Sequence, residues 1–219
     1  MQRRLLPTAL VAALGVLGVV TALLLAGKGS AALLLGDVRG LVALPVWAGW
    51  LSDIGILIWI SSASVCLFVG LTLGIRNAGG RFFLATAALT GWLAVDDSLM
   101  LHERVLPRLL GVGQGAIYAV YATVVLCWLI AYRRRHAGTL PVWLVLSFAC
   151  FAASVLLDVL PPERRPPARW HPLIEDGFKW IGIVLWSARL WCVCLLEHAS
   201  PAGRKTPGPA GVEPTPRQS

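Results

Sequence analysis

Acid is scarce in this chain. Only 11 of its 219 residues are Asp or Glu, against 19 Lys and Arg, and charges of both signs make up 14%. With 57% of residues hydrophobic, so little charge excludes a soluble domain of this size. Strict alternation of apolar and polar residues is missing too, which argues against an outer-membrane barrel. No internal repeat is visible, so an inverted-repeat transporter has no support. The five cysteines, Cys66, Cys127, Cys150, Cys192 and Cys194, all fall in apolar runs. They offer no disulfide framework, and Cys192-Val193-Cys194 is not a zinc spacing. They read as small buried apolar residues.

What the chain has in quantity is long apolar runs. A hydrocarbon core of about 30 Å takes about 20 helical residues to cross. Six runs reach that length, at about 5–27, 51–75, 82–102, 115–132, 140–160 and 175–196. The expected fold is all-α, a polytopic transmembrane bundle of six spans over residues 1–198, with a disordered cytoplasmic tail at 199–219. Arg3, Arg4, the first apolar run and Gly29-Ser30-Ala31-Ala32 resemble a secretory signal, so the count becomes five if that run is cleaved. Its length favours a retained anchor. Lys28 to Trp50 reads as an interfacial segment with Trp47 and Trp50 as anchors. Asn77-Ala78-Gly79-Gly80 reads as a tight turn and Gly111 to Gly115 as a break. The Pro161–Pro167 segment reads as a stiff loop.

The net charge of +8 is topological rather than a nucleic-acid footprint. With the N-terminus in the cytoplasm, Arg133-Arg134-Arg135 and seven further basic residues fall inside, with Glu197 and Glu213. That arrangement satisfies the positive-inside rule and also puts the C-terminus in the cytoplasm of an inner (plasma) membrane. The other nine acids are Asp37, Asp53, Asp96, Asp97, Glu103, Asp158, Glu163, Glu175 and Asp176. All fall at the opposite, outer face. Carboxylates gathered near hydrocarbon are costly and mark a site.

Span length sharpens that site. From Phe82 to Val95 a helix rises only about 21 Å, too little to cross. The third span must therefore continue through Asp96-Asp97-Ser98-Leu99-Met100-Leu101-His102-Glu103. On a helical wheel Asp96 and Glu103 lie about 20° apart, Ser98 and His102 share another face, and the Asp97 direction recurs at Arg104. Asp158 closes the fifth span, one turn after Ser154. Glu175 and Lys179 have the favourable i,i+4 order for an ion pair. Gly182, Trp186 and Arg189 continue that face, which must look into the bundle or a wet cavity.

Three functions suit this set. Asp96, Asp97, His102, Asp158 and Glu175 have the ligand chemistry for a divalent metal ion. Such a metal would activate water against a lipid or small-molecule substrate, with Asp97, His102, Glu175 and Lys179 as catalytic candidates. A small transporter or proton-relay subunit would use Glu175, Lys179 and Arg189 as a path. A purely structural ion-pair network between spans three, five and six would use the same residues without chemistry.

The patterns Asp96-Asp97-x4-His102-Glu103, Ser154-x3-Asp158 and Glu175-Asp176-x2-Lys179-x2-Gly182 resemble a family of uncharacterised bacterial integral membrane proteins, a likeness that implies no activity. Ser98-x3-His102 is similar to the first element of the alkaline-ceramidase and progestin-receptor superfamily of membrane metal hydrolases. His171-x3-Glu175 stands where that superfamily has its second histidine pair. That likeness implies a zinc-dependent hydrolase acting in the membrane.

Overall fold

Unbroken apolar sequence leaves the backbone no partner in hydrocarbon but itself, so each long run closes its own hydrogen bonds as a helix. The computed structural model describes residues 18–19, 21–22, 25–27, 49–138, 141–159 and 171–199. Most of the first apolar run, the interfacial segment before Trp50, the proline-rich segment 161–167 and the tail after Ala199 lie outside the described residues. The chain forms two units, Met1–Trp50 and Leu51–Ser219. Apart from Trp50 itself, the long helices all belong to the second.

Seven α-helices and no strand occur among the described residues. They are α1 (Trp50–Leu73), α2 (Ala78–Leu99), α3 (Leu106–Leu110), α4 (Gln114–Ala131), α5 (Arg133–Gly138), α6 (Pro141–Val159) and α7 (His171–Ala199). A π turn, Leu101–Val105, joins α2 to α3. Five of the helices, α1, α2, α4, α6 and α7 from Leu173 onward, are long and apolar enough to cross a membrane. The protein is thus an all-α, multi-pass membrane protein. Leu57, Phe68, Leu71, Val142, Val145 and Leu195 stay exposed on these helices, as lipid-facing side chains do.

The connection between α1 and α2 is shorter than the sequence implies. Asn77 caps α2, accepting from the Gly79 N–H at 2.8 Å. Ala78, Gly79 and Gly80 are therefore already helical, and the reversal is made at Gly74, whose φ of +81° suits glycine. The break after α3 falls at Gly111, with φ +66°.

Among apolar spans the packing itself, more than escape from water, holds helices together. Helix α7 supplies most of the contacts. Its Trp186 indole donates to Thr90 Oγ1 of α2 at 3.1 Å and lies 5.4 Å, centroid to centroid, from Trp128 of α4. Trp128 in turn donates to Thr86 Oγ1 at 3.1 Å. Ser147 of α6 donates to the Gly182 carbonyl at 2.9 Å. A Cβ added at Gly182 would sit 2.7 Å from the Phe151 ring, so only glycine allows α6 this close.

At the end of the bundle carrying Arg133-Arg134-Arg135, Arg135 pairs with Glu197 and lies over the Phe82 and Phe83 rings. Arg189, only 1% exposed, contacts His136 Nδ1 at 3.2 Å. The Gly182–Trp186–Arg189 face is inside the bundle.

Candidate functional site

The acidic site is built where α2 fails to continue as the sequence implies. Residues 78–99 are α-helical, but Met100 turns left-handed, at φ 51° and ψ 42°. Such a conformation costs a methionine of order 1–3 kcal/mol and needs compensation. Asp96 supplies it. Its Oδ1 accepts the His102 backbone N–H at 2.9 Å and the Tyr121 hydroxyl of α4 at 2.7 Å. Its Oδ2 accepts His102 Nδ1 at 2.5 Å. The π turn follows, with the Leu106 N–H reaching back to the Leu101 carbonyl. A single continuous helix through Glu103 is thus corrected, and with it the helical-wheel geometry. Asp96 faces His102, while Ser98 is exposed and His102 buried. The Ser-x3-His pair is not brought together.

The neighbouring carboxylate takes another partner. Asp97 pairs with Lys179 of α7, where the sequence pointed to Arg104 for Asp97 and to Glu175 for Lys179. Glu175 instead meets His171 Nδ1, one turn before it, at 3.2 Å. His171 Nε2 lies 3.3 Å from the Leu157 carbonyl of α6. Asp158 accepts from Gln114 Nε2 at 2.7 Å and from the Tyr118 hydroxyl at 2.8 Å.

The five candidate metal ligands are therefore taken up by different partners. Asp96 and His102 hold each other, Asp97 has Lys179, Asp158 has α4, and Glu175 has His171. Among the described residues no three His, Cys, Asp or Glu side chains converge as a metal-binding group. The donor set does not fit a divalent ion without breaking these pairs.

Helix α4 is the part of the site that sequence reasoning missed. Gln114, Tyr118 and Tyr121 recur at i, i+4 and i+7, one face of a helix, and all three point hydrogen bonds at carboxylates from α2 and α6. The His102 ring lies between the two tyrosines, 5.1 Å from Tyr118 and 6.5 Å from Tyr121 by centroid. A polar stripe at helical spacing in an apolar span was the available signal. The expected site between spans three, five and six gains span four.

Residues 8–193 match the family described as Domain of unknown function (DUF8692). The chain belongs to that family. Neither the curated proteins nor the solved structures contain a match to it. Membership of the DUF8692 family carries no activity with it.

Two histidines outside the long spans give the bundle opposite pH dependences. For His102, burial favours the neutral ring, but the Asp96 hydrogen bond and charge, with Glu103, outweigh burial and the Lys179 charge. The result lies above the ordinary 6.5. The folded state then holds a proton that the unfolded chain releases, so this stability is present below about 6.5 and lost as pH rises through the raised value. His136 is the reverse: burial, then the Arg189 charge, push it down to about 4. Here the unfolded chain binds the extra proton, and stability is lost as pH falls from 6.5 toward 4. Melting temperatures in detergent should fall on both sides of about pH 6.5. His102→Gln should flatten the alkaline limb and His136→Gln the acid limb. Unchanged limbs in these variants would show that other groups set the profile.

Proposed function

We propose that this protein is a proton-relay component of its membrane, working at the acidic end of the bundle. One observation carries the reading: the His102 imidazole stands between two carboxylates. Its Nδ1 lies 2.5 Å from Asp96 Oδ2 and its Nε2 3.6 Å from Glu103 Oε1. Side-chain exposure falls along the row, from 44% at Glu103 to 11% at His102 and 6% at Asp96. An imidazole accepts a proton at one nitrogen and releases another from its second nitrogen. A proton taken from water by Glu103 passes to Nε2. The proton on Nδ1 passes to Asp96, and once Asp96 has released it inward, rotation of the ring resets the row. Tyr121 holds the buried end of the row through its hydrogen bond to Asp96. Lys179 occupies Asp97, which leaves Asp96 as the carboxylate facing the imidazole.

Thr90 and Thr86 of α2, each bonded to a tryptophan indole, lie on the Asp97 face of that helix, apart from the row that ends at Asp96. A structural network would need the pairs but not the exposure gradient. Hydrolysis at a divalent metal has no comparable support, because its candidate ligands are dispersed. The Arg133-Arg134-Arg135 segment supports an orientation with the basic end and both termini in the cytoplasm and the relay opening outward. A cysteine introduced beyond Pro201 should then react with an impermeant maleimide only in opened cells. Labelling of intact cells would reverse the orientation.

The relay is tested in proteoliposomes holding a pH-sensitive dye, with a potassium diffusion potential as driving force. The wild-type protein should conduct protons. His102→Gln should lower the flux by about 10²-fold or more, in the range of a lost general acid–base group. Glu103→Gln should lower it less, since water can reach His102 directly. No flux in the wild type, or equal flux in wild type and His102→Gln, would sink the relay.

A further inference from the structure

The basic half of the bundle holds a second pair of reactive groups, unconnected with the relay. The chain's cysteines are all free, and burial divides them: Cys127 and Cys192 are exposed, Cys150 is intermediate, and Cys66 and Cys194 are buried. The two buried thiols meet, Sγ to Sγ, at 3.8 Å between α1 and α7. They are 0% and 3% exposed.

Helix register enforces the meeting. A Cβ at Gly55 of α1 would lie 3.2 Å from Ile183 Cδ1 of α7. Gly55 and Ile183 are separated by the same 128 residues as Cys66 and Cys194. The two helices therefore run parallel, and the 11 residues between the contacts make about three full turns. The same stripe of each helix faces the other at both places. Side-chain rotation has to close less than 2 Å for the sulfurs to reach the bonding distance of about 2.05 Å. No other element has to move aside, since each thiol already points at the other.

Location selects the oxidant. Cys66 lies 16 residues after Trp50, about 24 Å along α1, well within a span. Its neighbours Val65 and Leu67, and Leu195 beside Cys194, are exposed apolar side chains of the lipid-facing surface. A soluble disulfide-exchange protein has no route to sulfurs at that depth, whereas a two-electron acceptor dissolved in the bilayer meets these buried thiols when α1 and α7 part along their seam. The geometry points to Cys66 and Cys194 as a redox-active dithiol, oxidised to an intramolecular disulfide by a lipid-soluble quinone. Two S–H bonds break and one S–S bond forms. Two electrons and two protons pass to the quinone, which leaves as the quinol.

The test uses reduced, full-length protein in lipid nanodiscs mixed with decylubiquinone. Quinol should form to one equivalent per protein. Alkylation, digestion and mass spectrometry should then show the Cys66 and Cys194 peptides joined and the other three cysteines alkylated. The triple variant Cys127→Ser, Cys150→Ser, Cys192→Ser should behave like wild type, while Cys66→Ala and Cys194→Ala should each lose the reaction. Unreduced quinone with wild-type protein would overturn the proposal, even if diamide joins the same two peptides. So would quinol formation undiminished in Cys66→Ala, or a disulfide that joins any other cysteines. The wild-type peptide map decides the pairing even if an alanine variant fails to fold.

Discussion

Replacing Lys179 by methionine should destabilise the bundle by about 3–5 kcal/mol, the cost of stranding a buried charge once its partner is gone. The charge stranded is Asp97, whose side chain is 7% exposed. Its Oδ2 is buried without a hydrogen bond, so Lys179 supplies the compensation that the carboxylate has on its other oxygen. Asp97→Asn should cost less, because the Lys179 side chain is 28% exposed and its long stem can carry the amine toward water. The double variant, Asp97→Asn with Lys179→Met, strands no charge and should recover most of the loss. Unfolding midpoints in mixed detergent–SDS micelles measure all three. If the two single losses simply add in the double variant, the pair is not coupled and Asp97 is balanced by something else. The same series separates structure from relay: the double variant should keep proton flux while His102→Gln does not.

The contrast between these two consecutive aspartates also marks where the sequence stops being legible. Run length and span arithmetic were enough for an all-α membrane bundle and for drawing Asp96 and Asp97 into it, because both follow from the thickness of hydrocarbon. Partner choice was not legible. The wheel assumed a continuous helix, and a left-handed Met100 with a π turn turns His102 back toward Asp96. Nothing in Leu99-Met100-Leu101 announces that break, since methionine has no preference for positive φ. It is stabilised from a distance, by a carboxylate four residues earlier and a tyrosine on another helix. Lys179 shows the same limit. Its i,i+4 neighbour Glu175 was the local solution, but α7 packs so that the lysine reaches Asp97, 82 residues away. Arg189 was legible as inward-facing, because a guanidinium in mid-span has nowhere else to go, while its contact with His136 depended on the turn α5. Cys66 and Cys194 were legible only as buried thiols, since a meeting of two helices in parallel register is invisible to local spacing.

Alanine at Gly80 should be the most damaging small substitution in the bundle, at about 3 kcal/mol or more, the upper end for overpacking. Its new Cβ would press on the Gly74 carbonyl, which is backbone in the turn between α1 and α2 and cannot rotate away. Gly70→Ala and Gly182→Ala should each cost about 1–3 kcal/mol. The first meets Leu84 N at 2.9 Å and Leu84 Cγ at 2.8 Å, the second the Phe151 ring at 2.7 Å. Gly55→Ala should cost less, since the flexible end of Ile183 at 3.2 Å can give way. Gly177 lies inside α7 with nothing within 4 Å, so alanine there should stabilise by about 0.5–1 kcal/mol through helix propensity alone. The order of SDS unfolding midpoints across the five variants is the measurement. Equal midpoints for Gly80→Ala and Gly177→Ala would mean that α1 and α2 are not held at the separation described. The order bears on the site as well as on stability. Gly70 and Gly80 set how deeply α2 is seated against α1, and α2 carries Asp96 and Asp97 at its far end. A variant that lifts α2 should therefore weaken the Asp97–Lys179 pair, which joins α2 to α7. Asp96 and His102, six residues apart in one segment, move together, so Gly80→Ala should keep the alkaline limb of the pH profile that His102 produces.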